Sequence, residues 1–175
     1  MFTCGRYDRV PENGKKIIDG GLRTEGVIKQ SNPGFPLVSV ITVSLDSNKH
    51  IENCIESVLK QTYKNIEYIL IDGRSSDGTL DTIKKHKKID YFVSEPDGGL
   101  YEAMNKGLML AKGDYIIFLN SDDWYEDFAI EQLTSAIVKN NADVAHADAY
   151  VVDSSGKKLY IENAWLHDGI YTRGA

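Results

Sequence analysis

The strongest constraint on this chain is a repeating alternation. Short apolar runs, each closed by polar or acidic residues, are separated by stretches with helical spacing. Leu37–Ser44 (Leu-Val-Ser-Val-Ile-Thr-Val-Ser), Ile66–Ile71, Asp90–Ser94 and Tyr115–Leu119 are the runs. They are rich in β-branched and aromatic residues, which suit strands. Tyr115–Leu119 is an unbroken apolar run, too short for a buried helix, and predicts a parallel strand covered on both faces. Between the runs, Ile51, Cys54, Ile55, Val58 and Leu59 recur at helical spacing, as do Leu80 and Ile83. A third such stretch turns Leu100, Ala103, Met104, Leu108 and Ala111 inward and ends at Gly113. Ser47 or Asn48 is the expected cap of the first helix. This alternation predicts an α/β fold, a mostly parallel sheet of right-handed βαβ units with helices on both faces. A further helix is expected near Glu126–Asn140, with Ile130, Leu133 and Ile137 inward. Val144–Asp153 and Lys157–Ile161, joined by Ser154-Ser155-Gly156, read as a C-terminal antiparallel hairpin.

Domain organisation follows from the same pattern. Residues 1–36 carry Gly, Lys, Arg and Pro with only short apolar pieces, and are expected to lie over the surface as an N-terminal extension. Residues 37–175 form the domain. With 175 residues the chain can bury one ordinary core.

Open α/β sheets bind ligands beyond the carboxyl ends of their strands. There the fourth run gives way to Asn120-Ser121-Asp122-Asp123. Adjacent carboxylates repel, and a divalent cation completed by phosphate oxygens is one remedy. The plain alternative is an Asp-rich loop that caps the following helix. No glycine occurs in Val43-Ser44-Leu45-Asp46-Ser47-Asn48, so the dinucleotide-binding fingerprint is absent, and so is the Walker phosphate loop. A metal taking over the phosphate cradle's task fits that gap. A net charge of −6 argues against nucleic acid as a partner. The Lys84-Lys85-His86-Lys87-Lys88 run falls at a helix end, where cations complement the dipole. Two cysteines, Cys4 and Cys54, make no disulfide framework and suit a reducing, cytoplasmic setting. No apolar stretch is long enough to cross a bilayer, so a lipid-linked substrate would be met from the water side, at the inner face of the membrane.

Several segments in the same order resemble one family. Pro36-Leu37-Val38-Ser39-Val40-Ile41-Thr42-Val43 comes first and Ile71-Asp72-Gly73-Arg74-Ser75-Ser76-Asp77-Gly78-Thr79 second. Then come Ser94-Glu95-Pro96-Asp97-Gly98-Gly99-Leu100-Tyr101-Glu102-Ala103-Met104-Asn105-Lys106-Gly107 and Phe118-Leu119-Asn120-Ser121-Asp122-Asp123. Over about residues 36–174 the chain resembles the family 2 glycosyltransferases of GT-A fold, in particular bacterial enzymes of exopolysaccharide and O-antigen synthesis. The resemblance implies inverting transfer of a sugar from a UDP- or GDP-linked donor to an acceptor glycan or lipid-linked sugar, assisted by Mg2+ or Mn2+. It implies a nucleotide pocket lined by Val43, Leu45, Asp72, Asp97, Asn105 and Asp122, with Asp72 hydrogen-bonding the nucleobase. Asp123 would ligate the metal, with Asp122 contacting the ribose or sharing the ion, and His167 as a further ligand. Asp148 would face the donor sugar or acceptor. Each has a plain counterpart: Asp72 as a turn residue binding its own backbone, Asn105 facing water, Asp148 at a solvated strand end, His167 merely exposed.

The sequence also departs from the family. Leu45 stands where relatives often carry an aromatic residue, and Gly73-Arg74 replaces the commoner Asp-Gly. No residue matches the general base that the family places beyond the segment matching Leu166–Arg173, so a donor-binding fragment that transfers poorly is expected. The alternative is a non-catalytic module that binds nucleotide sugars or a partner. A sugar nucleotidyltransferase would need a glycine-rich basic loop after the first strand, and a phosphoacceptor domain a lysine after a late strand; neither is present.

Overall fold

The computed structural model describes residues 17–163 and, for the backbone alone, 170–171. The chain divides into two compact units, Met1–Asp127 and Phe128–Ala175.

The first unit is a five-stranded sheet in the order β1-β4-β3-β2-β5. Its strands are β1 (Ile18–Gly20), β2 (Val38–Ser44), β3 (Ile66–Asp72), β4 (Tyr91–Ser94) and β5 (Tyr115–Asn120). β2 runs parallel to β3 and β5, and β3 parallel to β4; only β1 is antiparallel. Helices α1 (Ile51–Leu59), α2 (Thr79–Lys85) and α3 (Leu100–Leu110) are the crossovers. Side chains alternate across a strand, so each strand feeds two cores. Ile41, Val43, Ile69, Ile71 and Val93 pack with Ala103 and Leu110 of α3. Thr42 and Tyr68 point the other way and meet Cys54 of α1 at 3.7 and 3.8 Å. The α/β architecture with helices on both faces is therefore as the alternation predicts.

Four details differ from the sequence reading. First, β5 is not covered on both faces: Ile116 and Phe118 stay 44% and 37% exposed. β5 is one of the two edge strands of the described sheet, and α3 lies over β2 and β3 instead. Second, α3 buries Ala103, Lys106, Gly107 and Leu110 and leaves Leu100 and Leu108 exposed. The close approach sets this rotation, because a Cβ on Gly107 would overlap the Ile41 side chain. Third, the residue before α1 is His50, and no side chain caps that end. The Ser47 carbonyl accepts from the His50 and Ile51 N–H groups, while the Ser47 hydroxyl is used elsewhere.

Fourth, the described residues before β2 are built into the sheet rather than laid over it. β1 pairs with β4, and charged side chains pin the residues that follow. Arg23 donates to Glu67 and to the Leu110 carbonyl. Glu67 also accepts from Ser39 and from the Lys112 N–H. Lys29 reaches Asp90 at 2.9 Å and the Ile66 carbonyl. Burial pushes the Asp90 carboxyl above its usual range, with Lys29 and the Tyr68 N–H opposing. Hydrophobic spacing does not reveal this segment, because main-chain pairing with β4 and ion pairs attach it.

The second unit holds α4 (Ala129–Asn140), with Ile130, Thr134 and Ile137 buried and Asn141 in a left-handed cap. The expected hairpin exists but is shorter, β7 (Ala149–Val152) against β8 (Lys158–Glu162) with a bulge at Val151/Val152. Its turn closes on Asp153, which accepts from Ser155 and Lys157. Val144–Ala145 (β6) leaves the hairpin and pairs with Ile170–Tyr171 (β9) instead. Among the described residues no helix is long and apolar enough to cross a membrane.

Candidate active site

Strand register brings the candidate residues of the first unit to one edge. Ser44 lies opposite Asp72, Asp72 opposite Ser94, and Val43 opposite Asn120. The carboxyl ends of β5, β2, β3 and β4 thus form one row, and the loops leaving them converge.

The loop after β2 is stitched to the loop after β3. The Asp46 N–H donates to Ser75 Oγ at 2.8 Å, and the Asp46 carboxylate accepts from the Ser76 N–H at 2.8 Å. The Asn48 N–H donates to Asp77 and the Ser47 N–H to Thr79 Oγ1, at 2.9 and 2.8 Å. The Thr79 hydroxyl holds the Asp77 carboxyl below the usual range. Asp46 and Arg74 take positive φ values of 48° and 66°, a conformation that costs a non-glycine residue energy and here serves these tight turns. Neither Asp46 nor the Ser75–Ser76 pair stands out in the sequence, since only the pairing of two remote loops gives them a role.

Asp72 is fully buried at the centre of this arrangement. Its carboxylate accepts from Ser75 Oγ at 2.5 Å, Ser94 Oγ at 2.6 Å, the Ser75 N–H at 3.1 Å and Ser44 Oγ at 3.4 Å. A carboxylate offers about four lone-pair sites, and all four are taken. Gly73 sits beside it, and a Cβ there would lie 3.1 Å from Asp97 Oδ2 and 3.4 Å from Leu45 Cδ1. Leu45, Gly73 and Asp97 therefore meet, with Leu45 63% exposed. Val43 is buried beneath them in the core.

Two interactions hold the Asp97 loop. The Glu95 N–H donates to the Asp72 carbonyl at 3.0 Å. The Glu95 carboxylate pairs with Lys106 of α3 at 2.6 Å, the two side chains 9% and 2% exposed. Burying an ion pair is costly unless its geometry is good, so this one fixes the loop to the helix rather than adding cheap stability. Lys106 stands among apolar positions in the sequence, where nothing marks it as buried. Asn105, its neighbour, is exposed.

The acidic loop joins the same edge. Ser121 and Ser47 share a hydrogen bond of 2.8 Å. Asp122 and Asp123 are exposed, and Asn120 Nδ2 lies 3.3 Å from Asp123 Oδ2. Beneath them Cys54 Sγ donates to the Asn120 carbonyl at 3.4 Å. Burial first, and then the charges of Asp123 and Asp122, push the Cys54 thiol up to about 11, and burial likewise raises Tyr125. The chain leaving the loop is anchored to the end of α1: the Tyr125 N–H donates to Ser57 Oγ, and Gln61 Nε2 to the Glu126 carbonyl. Among the described residues no three His, Cys, Asp or Glu side chains gather as a ready-made metal cage. Two exposed carboxylates on a fixed loop do fit an ion that takes its other ligands from phosphate and water. His167 lies outside the described residues. Asp148 belongs to the second unit, exposed just before β7.

Comparison with known proteins decides the family. The sequence signature described as "Glycosyl transferase family 2" matches residues 39–173. The chain belongs to glycosyl transferase family 2. Glycosyltransferase GlyG of Streptococcus pneumoniae is 34% identical over 128 residues, 71% of this chain and 42% of GlyG. TuaG of Bacillus subtilis, a candidate teichuronic acid biosynthesis glycosyltransferase, is 42% identical over 103 residues, 56% of this chain and 41% of TuaG. The chain therefore spans less than half the length of these relatives. Among solved structures, S. aureus TarS 1-349 in complex with UDP-GlcNAc superimposes with a TM-score of 0.64 at 25% identity, covering 70% of this chain and 37% of that one. The mannosyltransferase PcManGT from Pyrobaculum calidifontis, in complex with GDP-Man and Mn2+, shares the fold with a TM-score of 0.55 at 24% identity, over 73% and 38% of the two chains. The GT-A fold and the family 2 assignment expected from the motifs are thereby established.

Proposed function

We propose that this chain is the donor-binding part of a glycosyltransferase that moves a sugar from a nucleoside diphosphate to an acceptor hydroxyl during synthesis of a cell-surface polysaccharide. The observation that carries the reading is the single row of strand ends, in which the Ser47–Ser121 hydrogen bond ties the acidic loop to the Leu45 loop. In this reading one ligand spans both loops, with the base against Leu45 and Gly73 and the diphosphate reaching Asp122 and Asp123. These two carboxylates would hold a divalent cation, Mg2+ or Mn2+, which would neutralise the charge that builds on the departing diphosphate. The protein's own share is positioning, since rigid loops fix the donor with little reorganisation. Transfer also requires a general base within reach of the acceptor hydroxyl, and no described residue is assigned that role. The TarS complex with UDP-GlcNAc and the PcManGT complex with GDP-Man and Mn2+ support the ligand class. The acceptor would be a glycan or lipid-linked sugar.

Calorimetry with UDP and GDP, each with and without Mn2+, tests the proposal. Tight binding of one nucleotide only with the metal is expected, and Asp123→Ala should weaken it at least about tenfold, the loss of one ionic ligand. Equal affinity with and without Mn2+ would remove the metal from the reading.

A further inference from the structure

We propose that Asp97, and not Asp72, is the carboxylate that reads the nucleobase, and that it selects bases with a ring N–H on their pairing edge, uracil or guanine. The inference rests on the donor-binding reading above and specifies which residue sets its base preference.

Asp72 and Asp97 differ in hydrogen-bond occupancy. Asp72 is fully buried, and both of its oxygens are engaged by Ser44, Ser75 and Ser94. To accept from a base it would have to strand one of these donors without a partner, at the cost of an unsatisfied buried polar group. Asp97 is in the opposite condition. Its Oδ1 accepts the Gly99 N–H at 3.0 Å, which sets the orientation of the carboxylate. Its Oδ2 extends over Gly73, where the missing side chain leaves room, and has no hydrogen-bond donor among the described residues. The same space is bordered by Leu45 Cδ1, an exposed apolar surface for the flat face of a base.

Rigidity makes the oxygen usable. Glu95, two residues earlier, is held by the Asp72 carbonyl and by the buried Lys106 ammonium, so the loop cannot easily withdraw Asp97 from Gly73. The chemistry then selects the base. An ionised carboxylate only accepts hydrogen bonds. Uracil offers N3–H, and guanine offers N1–H with its exocyclic amine; cytosine and adenine present a lone pair at the ring nitrogen and offer only the exocyclic amine beside it.

The test uses the whole chain with Mn2+ and pairs each nucleotide with its ring-methylated form, UDP with 3-methyl-UDP and GDP with 1-methyl-GDP. For whichever parent nucleotide binds, methylation should weaken wild-type affinity at least about tenfold, the loss expected for a hydrogen bond to a charged group. In Asp97→Ala, whose site is partly exposed and outside the core, that ratio should fall to about two or less. A tenfold ratio that survives in Asp97→Ala overturns the proposal, as does a wild-type ratio near one. Loss of the ratio in a folded Asp72→Asn chain, with Asp97→Ala unchanged, would return the role to Asp72. If neither UDP nor GDP binds the wild type, the donor-binding reading fails and takes this inference with it, a result distinct from a persistent ratio.

Discussion

Two aspartate loops at one edge of the sheet are built in opposite ways. In the loop after β3, Asp72 is buried and saturated by three serines and a backbone N–H. In the loop after β5, Asp122 and Asp123 are exposed, and the acids press their charge on Cys54 and Tyr125. The same side chain therefore serves as a structural hub in one place and as a candidate ligand in the other. What separates them is the number of hydrogen-bond donors that the fold brings to each carboxylate. A motif match is blind to that number.

The largest expected effect tests the hub. Asp72→Ala should lower folding stability by about 4 kcal/mol, because several buried donors lose their acceptor together. Denaturant unfolding measures it, and a loss under about 1 kcal/mol would erase the contrast between the loops. The thiol beneath the acidic loop gives the next effect. With Cys54 raised to about 11, the folded chain keeps a proton that the unfolded chain releases above about pH 9. Stability should then fall as pH rises between those values, by about 1 kcal/mol per pH unit from this group. The difference between wild type and Cys54→Val, followed by unfolding at pH 8 to 11 (about the thiol's titration range), isolates it; a constant difference would show that neither burial nor the loop's charge raises the thiol.

Smaller changes sharpen the comparison. Arg74→Gly should raise stability by about 1 kcal/mol, since glycine accepts the left-handed backbone that Arg74 occupies at φ 66°. An unchanged melting temperature would mean that the Arg74 side chain compensates the strain. The smallest expected effect belongs to Asp123→Ala, within about 0.5 kcal/mol of wild type in stability, as for an exposed side chain. A larger loss would make Asp123 a structural residue of its loop and not a ligand; it does not cap the following helix, since no side chain caps the start of α4.

Much of the scaffold was legible in advance. Leu37–Ser44, Ile66–Ile71 and the α1 spacing of Ile51, Cys54, Ile55 and Val58 report burial directly, and these elements occur where the pattern places them. The pattern was less informative for α3. Leu100 and Leu108 share an apolar stripe with Ala103, yet Gly107 against Ile41 and Lys106 against Glu95 fixed which stripe turns inward. It missed β1 altogether, because main-chain pairing with β4 attaches this strand and the ion pairs of Arg23 and Lys29 hold the residues after it. For the candidate site, the motif residues Leu45, Asp72, Asp97, Asp122 and Asp123 do reach one edge of the sheet. Their division of labour was not visible, since Ser44, Ser75 and Ser94 come from three different strand ends.

What the sequence determined by itself is the order of strands and helices from β2 to α4 and the family, because periodicity and motif order are properties of the chain read locally. Which carboxylate is sealed and which is left open was decided only by the tertiary structure. Hydrogen-bond saturation depends on donors brought together from distant parts of the chain, and parallel strand register is what brings them there.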